Sequence, residues 1–160
     1  IHTLETALEE AYGKISGEGV EQALVERGSF VHEVDAELPL TDVNWETYRA
    51  IAALAPFGIG NPKPLFLLRD LILARVRAFG RDGAHLELRF SNAKQDIKHP
   101  MFATPSRMAL FSVPAIGFFI KLDAFGIALE PGAQVNLLAH LDASYFRTTP
   151  ELRLRIVEIF

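Results

Sequence analysis

From Leu65 onward the chain is a succession of short apolar runs, most of them alternating with polar residues and each stopped by turn-forming residues: LFLLRDLILARVRA, AHLELRF, AIGFFIK, QVNLLAHLDA and ELRLRIVEI. Alternation of period two sends successive side chains to opposite faces of a strand and leaves one apolar face to be covered. Strands that follow one another without long helices between them bury that face by curling the sheet on itself, which also hides its edges.

One helical piece, LDAFGIAL at Leu122–Leu129, falls after the third of these segments. That order predicts a small closed barrel of the OB (oligonucleotide/oligosaccharide-binding) type, in which a helix sits between strands three and four. The expected fold class is mainly β with helices (α+β), a five-stranded OB-type barrel preceded by an N-terminal helical extension. The register of the first hairpin follows from the pattern. A three-residue loop of Arg81, Asp82 and Gly83, with Gly83 left-handed, pairs Val76 with Leu88 and Ala78 with Leu86 on the inside. Arg75 then meets Arg89, Arg77 meets Glu87, and Phe79 meets His85 on the outside. A two-residue loop would set Arg77 against Leu86 and split the core. Two facing arginines repel each other, and an anion or solvent relieves that.

Before the barrel, Leu4, Leu8, Tyr12 and Ile15 recur at helical spacing over Thr3–Ile15, and Val20–Val25 allow one more turn. Val31–Leu38 read as extended up to Pro39. Thr41 or Asn44 is placed to cap a second helix, with Trp45, Tyr48, Ile51 and Ala52 on one side, which Pro56 must end. The stretch PFGIGNPKP that follows is almost wholly turn-forming and predicts a stiff joint. In it Pro56 and Pro62 fix the backbone, Phe57 plugs the core, Gly58 and Gly60 take unusual dihedral angles, and Asn61 either braces the turn or offers its amide to a phosphate or a neighbouring domain. The expected division is a helical tail over 1–30, a strand and helix over 31–55, the joint over 56–66 and the barrel over 65–160.

The net charge of −4 conceals an asymmetry. Residues 1–64 hold 4 Lys+Arg against 11 Asp+Glu, whereas residues 65–160 hold 12 against 9, and 9 of those 12 are arginines. Arginine pairs with phosphate through a planar fork and also stacks on bases, so the basic part of the chain is the part to examine for an anionic ligand. The absence of cysteine excludes disulfides and thiolate metal sites and fits a reducing cytoplasm. Met108–Ile120, the longest apolar run, contains Pro114 and is too short to span a bilayer. The five histidines never take the spacing of paired metal ligands, and no GxSxG elbow or Walker phosphate loop occurs, so catalysis by this chain alone is not expected. The acidic start IHTLETALEE, opening on Ile1, reads as an excised piece with no visible signal peptide.

The order VDAELPL, helix, LAPFGIGNPKPLF, hairpin around GRDGAHLEL, AIGFF, PGAQVNLLAHLDASYF and ELRLRIVEI resembles the C-terminal region of RecJ-type single-stranded-DNA exonucleases over Val31–Phe160. The resemblance implies a parent that degrades single-stranded DNA from its 5′ end in DNA repair and recombination. It also implies Mg or Mn held by aspartate and histidine motifs in a catalytic domain that this chain lacks. No cofactor and no catalytic residue is expected here. The segment Ser91–Pro114 is longer than usual for the family and carries Lys94, Lys98, His99 and Arg107.

OB folds engage oligonucleotides with strands two and three and the loops joining strands one to two and four to five. In this sequence those places hold Arg75, Arg77, Phe79, Arg81, His85 and Arg89, then Tyr145, Phe146 and Arg147. These are the expected nucleic-acid-binding residues. Arg153 and Arg155 face outward on the last strand, toward either ion pairs or DNA. The expected partners are single-stranded DNA and the nuclease domains of the same protein, with a single-strand-binding protein as a further one and no membrane. The competing reading is an interaction module that clamps the nuclease domains or docks a partner without touching DNA.

Overall fold

The computed structural model describes residues 32–92, 112–146 and 148–160. The helix expected over Thr3–Ile15, the turn within Val20–Val25, and Lys94, Lys98, His99, Arg107 and Arg147 lie outside the described residues.

All five expected strands are present: β2 (Phe66–Phe79), β3 (His85–Asn92), β4 (Val113–Phe118), β5 (Gln134–Ser144) and β6 (Glu151–Ile159). A two-residue strand, β1 (Ala36–Glu37), runs parallel to the start of β2, with Ala36 opposite Phe66. The sheet order is β1-β2-β3-β4-β6-β5, and β5 returns to pair with β2, which closes the barrel. The chain is an OB-type fold, as its strand pattern predicts.

Closure depends on β2, a strand of 14 residues that serves two neighbours. Leu71 lies opposite Val135 of β5 on one side and Asn92 of β3 on the other. The register slips between Leu68 and Leu71 against β5, and again between Leu73 and Arg75 against β3. An extra residue of this kind bends and twists a strand, so the two slips curl β2 around the core. The first is pinned by side chains. Asp70, at φ 53°, donates its backbone N–H to Asn136 Oδ1 (3.1 Å) and accepts from Gln134 Nε2 on its own Oδ1 (3.0 Å). Inside the closed sheet Leu68, Leu73, Leu88, Phe90, Leu141 and Leu154 are fully buried.

The first hairpin has the predicted register, with Arg75 opposite Arg89, Val76 opposite Leu88, Arg77 opposite Glu87, Ala78 opposite Leu86 and Phe79 opposite His85. Two details differ. The ladder stops at Phe79 and His85, so the loop is Gly80–Ala84 rather than three residues, with Asp82 (φ 56°) left-handed as well as Gly83 (φ 65°). Leu86 and Leu88 are buried, but Val76 is half-buried and Ala78 exposed. The third barrel strand begins at Val113 and ends at Phe118, earlier than the alternation implied, because Phe119 turns left-handed at φ 58°. The helical piece is a short 3-10 turn, Leu122–Phe125, ended by left-handed Gly126.

Helix α1 (Trp45–Ala52) is capped by Asn44, whose Oδ1 accepts from the Thr47 N–H at 3.0 Å. Thr41 is not the cap; its hydroxyl bonds Asp42. Ile51 is buried and Tyr48 packs against the core, with Trp45 edge-on to Tyr48, while Ala52 is exposed. After α1 the peptide bond between Ala55 and Pro56 is cis. Gly58 and Asn61 exchange backbone hydrogen bonds of 2.8 and 3.2 Å around Ile59 and Gly60. Gly60 has φ +84°, a conformation that favours glycine; Gly58 shows no positive φ, contrary to expectation. Phe57 is half-buried against the core. The Asn61 side-chain amide donates to the carbonyls of Leu54 and Pro56, both at 2.9 Å, so its two hydrogens are already engaged. We expect Asn61→Ala to cost about 1–2 kcal/mol in urea unfolding, since two hydrogen bonds to backbone carbonyls are lost. Unchanged stability would show that the brace is not needed.

Candidate nucleic-acid interface

The outer side chains of β2, β3, β4 and β6 form rows across the barrel. Phe79 lies opposite His85, and His85 opposite Phe118. The next row joins Arg77, Glu87, Ile116 and Arg155, and the row after it Arg75, Arg89 and Pro114. The sequence dictates these rows because every second residue faces out once the register is fixed.

His85 is the centre of the first row. Its ring centroid lies 5.2 Å from that of Phe79, 5.7 Å from Phe118 and 4.9 Å from Phe119, the last two edge-on. Its Nδ1 accepts the Phe119 backbone N–H at 3.1 Å. That bond holds Phe119 in its left-handed conformation with the ring 86% exposed. Gly80, at φ +82°, passes directly over the His85 ring, where a Cβ would come within 2.6 Å of Cδ2. Only glycine fits that position.

Three arginines of the face meet a carboxylate. Arg77 donates to Glu87 at 3.2 Å, Arg153 approaches Asp142 at 3.3 Å, and Arg89 lies 3.7 Å from Glu151. Arg75 and Arg81 are exposed and have no acidic partner among the described residues. Of the two arginines set opposite each other, Arg89 thus has Glu151 nearby to offset its charge. The guanidinium groups of Arg153 and Arg155 also lie 5.8 and 5.4 Å from the centre of the Phe118 ring, within cation–π range. For Arg153 and Arg155 the sequence left ion pairs and ligand contact open. Arg153 makes the ion pair with Asp142, and both arginines cover Phe118.

Between the two loops lies an open groove of about 540 Å³. Phe79, Phe118 and Phe146 wall it, Pro114 and Ile116 form an apolar floor, and Glu87, Glu151 and Arg153 reach into it. Phe146 is 98% exposed. Its neighbour Tyr145 is placed differently. A hydrogen bond with Tyr145, followed by burial, the charge of Tyr145 and the nearby Asp142, pushes the Tyr48 phenol on α1 above its usual 10. Asp142 also binds Lys63 from the joint at 3.3 Å, so the joint, α1 and the second loop are tied together.

The structure therefore gathers Phe79, His85, Arg77, Arg89 and Phe146 on one face with Phe118 and Phe119, and sets Tyr145 toward α1. Phe118 and Phe119 were not singled out from sequence. The only signal was the FF pair at the end of a strand, where one of two adjacent rings must face outward.

Residues 34–158 match the family model described as the RecJ OB domain. This chain belongs to that family. Over 67 residues, 42% of this chain and 8% of the other, it is 31% identical to the single-stranded-DNA-specific exonuclease RecJ of Bacillus subtilis (strain 168). A crystal structure of RecJ in complex with Mn2+ from Thermus thermophilus superposes with a TM-score of 0.52 at 23% identity, covering 78% of this chain and 15% of that one, and shows the same fold. The corresponding Mg2+ complex gives a TM-score of 0.47 at 23% identity, covering 71% and 14%. This RecJ OB domain thus spans a small fraction of the length of the relatives it matches. Those structures carry Mg2+ or Mn2+; among the described residues here no three His, Asp or Glu side chains are grouped to hold a metal ion. No helix among the described residues is long and apolar enough to cross a membrane.

Proposed function

We propose that this domain binds single-stranded DNA on the Phe79–Phe118–Phe146 face and guides it toward the catalytic domain of a RecJ-type exonuclease acting from the 5′ end. The carrying observation is the convergence, between the two loops, of the exposed Phe146 with the half-buried rings of Phe79 and Phe118 and with Arg153 and Arg155. Rings stack bases irrespective of sequence, and arginines neutralise the backbone. In the parent protein the hydrolytic chemistry and its Mg or Mn belong to the catalytic domain, and this domain supplies grip and direction in the cytoplasm. The segment Pro56–Pro62 acts as the rigid joint that sets the angle of the barrel, a role supported by the engaged Asn61 amide.

The test is fluorescence anisotropy with labelled single-stranded DNA over a salt series. Affinity should fall steeply as salt rises. Arg81→Ala removes a cation with no internal acidic partner, so it should weaken binding to all sequences and flatten the log–log salt slope by about 0.7. An unchanged slope and affinity would remove the first loop from the interface. The clamp reading draws on Ile59, fully exposed at the tip of the joint, and on the acidic N-terminal part. Saturable binding to the nuclease domains, with no DNA binding at low salt, would establish that reading instead.

A further inference from the structure

A face that grips a polyanion has no electrostatic reason to keep carboxylates in its groove, yet Glu87 and Glu151 both line it. Ion pairing accounts for them only in part. Among the described residues Glu87 takes one hydrogen bond, on Oε2 from Arg77. A carboxylate has about four acceptor positions, so most of its capacity stays open. Glu151 lies 3.7 Å from Arg89, beyond hydrogen-bond reach, and its carboxylate accepts no hydrogen bond among the described residues. Both side chains are partly exposed, at 31% and 40%, and open to a ligand.

We propose, resting on the reading of this face as a DNA-binding surface, that Glu87 and Glu151 select bases carrying an exocyclic amino group and discriminate against thymine and uracil. An ionised carboxylate accepts hydrogen bonds and donates none. A base held between the aromatic walls turns its edge toward such acceptors. Cytosine offers its N4 amino hydrogens, adenine those on N6, and guanine N1–H together with its N2 amino group; the cytosine N4–carboxylate pair is a known readout contact. Thymine and uracil offer a single N3–H flanked by two carbonyl oxygens, which a carboxylate repels. The apolar floor of Pro114 and Ile116 provides no donor to compensate those carbonyls. The groove is thus a base-reading subsite within an interface that is otherwise indifferent to sequence.

Oligodeoxycytidine and oligodeoxyuridine of equal length, about 20 nucleotides to exceed one OB-fold footprint, differ only at the base edge, where cytosine has a bare N3 and an amino group and uracil an N3–H and a carbonyl at position 4. Their affinities for the full chain should be compared at one salt concentration. The inference expects the cytidine strand to bind roughly five- to tenfold tighter, within the range of one good base contact. In Glu87→Gln/Glu151→Gln the preference should shrink to within about twofold, because a glutamine amide also donates to a carbonyl. The loss of preference should come with tighter binding of the uridine strand, since two negative charges that repel its carbonyls leave the face. Equal affinities in the unaltered chain would overturn the inference and leave the DNA-binding reading standing. A cytidine preference that survives in the double variant would overturn the assignment to these two residues. No binding of either strand at low salt would overturn the DNA-binding reading itself.

Discussion

Phe146→Ala is expected to lower affinity for single-stranded DNA by roughly 5- to 150-fold, the equivalent of about 1–3 kcal/mol for one stacked base. Phe146 is the sharpest probe of the face because almost nothing internal depends on it. Its ring is 98% exposed and takes no part in the core. Thermal unfolding of the variant should match that of the parent within a degree or two, since exposed substitutions away from caps and networks shift stability by about 0.5 kcal/mol or less. The salt slope should also stay constant, because no phosphate contact is removed. A lower intercept at constant slope identifies stacking, whereas a flatter slope identifies a lost charge contact, as expected for Arg81→Ala. Unchanged anisotropy titrations would exclude the second loop from the interface.

Phe118→Ala would also weaken binding, but it confounds two effects. Its ring packs edge-on to His85 and carries Arg153 and Arg155 above it. Asp142 holds Arg153 and also Lys63 of the joint, so the position of Phe118 is linked to residues far away in sequence. Disturbing any of these moves the wall of the groove as well as its surface.

What could be read from sequence divides along this line between local and long-range causes. The hairpin register was legible because two strands with period-two alternation and a glycine-containing loop between them leave only one pairing that buries Leu86 and Leu88 together. Exposure of the arginines followed from the same alternation. The length of the hairpin loop was not legible, because Asp82 takes a left-handed conformation that its residue type permits but does not require. The positions of Phe119 and Tyr145 were hidden for a different reason. Phe119 is turned outward by its own left-handed backbone and by a hydrogen bond to His85, 34 residues away. Tyr145 is drawn toward Tyr48 by an interaction that exists only once the barrel has closed. The joint illustrates both cases. Its prolines and glycines announced a stiff turn, but that Asn61 spends its amide on Leu54 and Pro56 depends on where the end of α1 lies.

The barrel itself should fail most sharply at Phe90, the largest side chain with no solvent exposure at all. Phe90 lies on β3 between Leu73 of β2 and Val113 of β4, immediately beside the register slip that bends β2 between Leu73 and Arg75. Both neighbouring strands are hydrogen-bonded to β3 and cannot move inward independently, so a cavity left at this position would collapse only partly. Phe90→Ala is therefore expected to cost about 3–5 kcal/mol in urea unfolding, the range for truncating a core phenylalanine whose site cannot relax. Against a total of roughly 5–15 kcal/mol for a domain, such a loss takes about a fifth or more of the stability. At about 2–4 °C per kcal/mol for a chain of this size, it lowers the melting temperature by roughly 6–20 °C. Phe90 is wholly buried and contributes no surface to the face that carries Arg75, Arg77 and Phe79, so DNA binding should decline only in step with the folded fraction as temperature rises. A large loss of DNA affinity at a temperature where the variant is still fully folded would mean that Phe90 shapes the face beyond holding the barrel closed. A cost below about 1 kcal/mol would mean that the sheet around the bulge is loose enough to fill the space, and that closure does not depend on this residue.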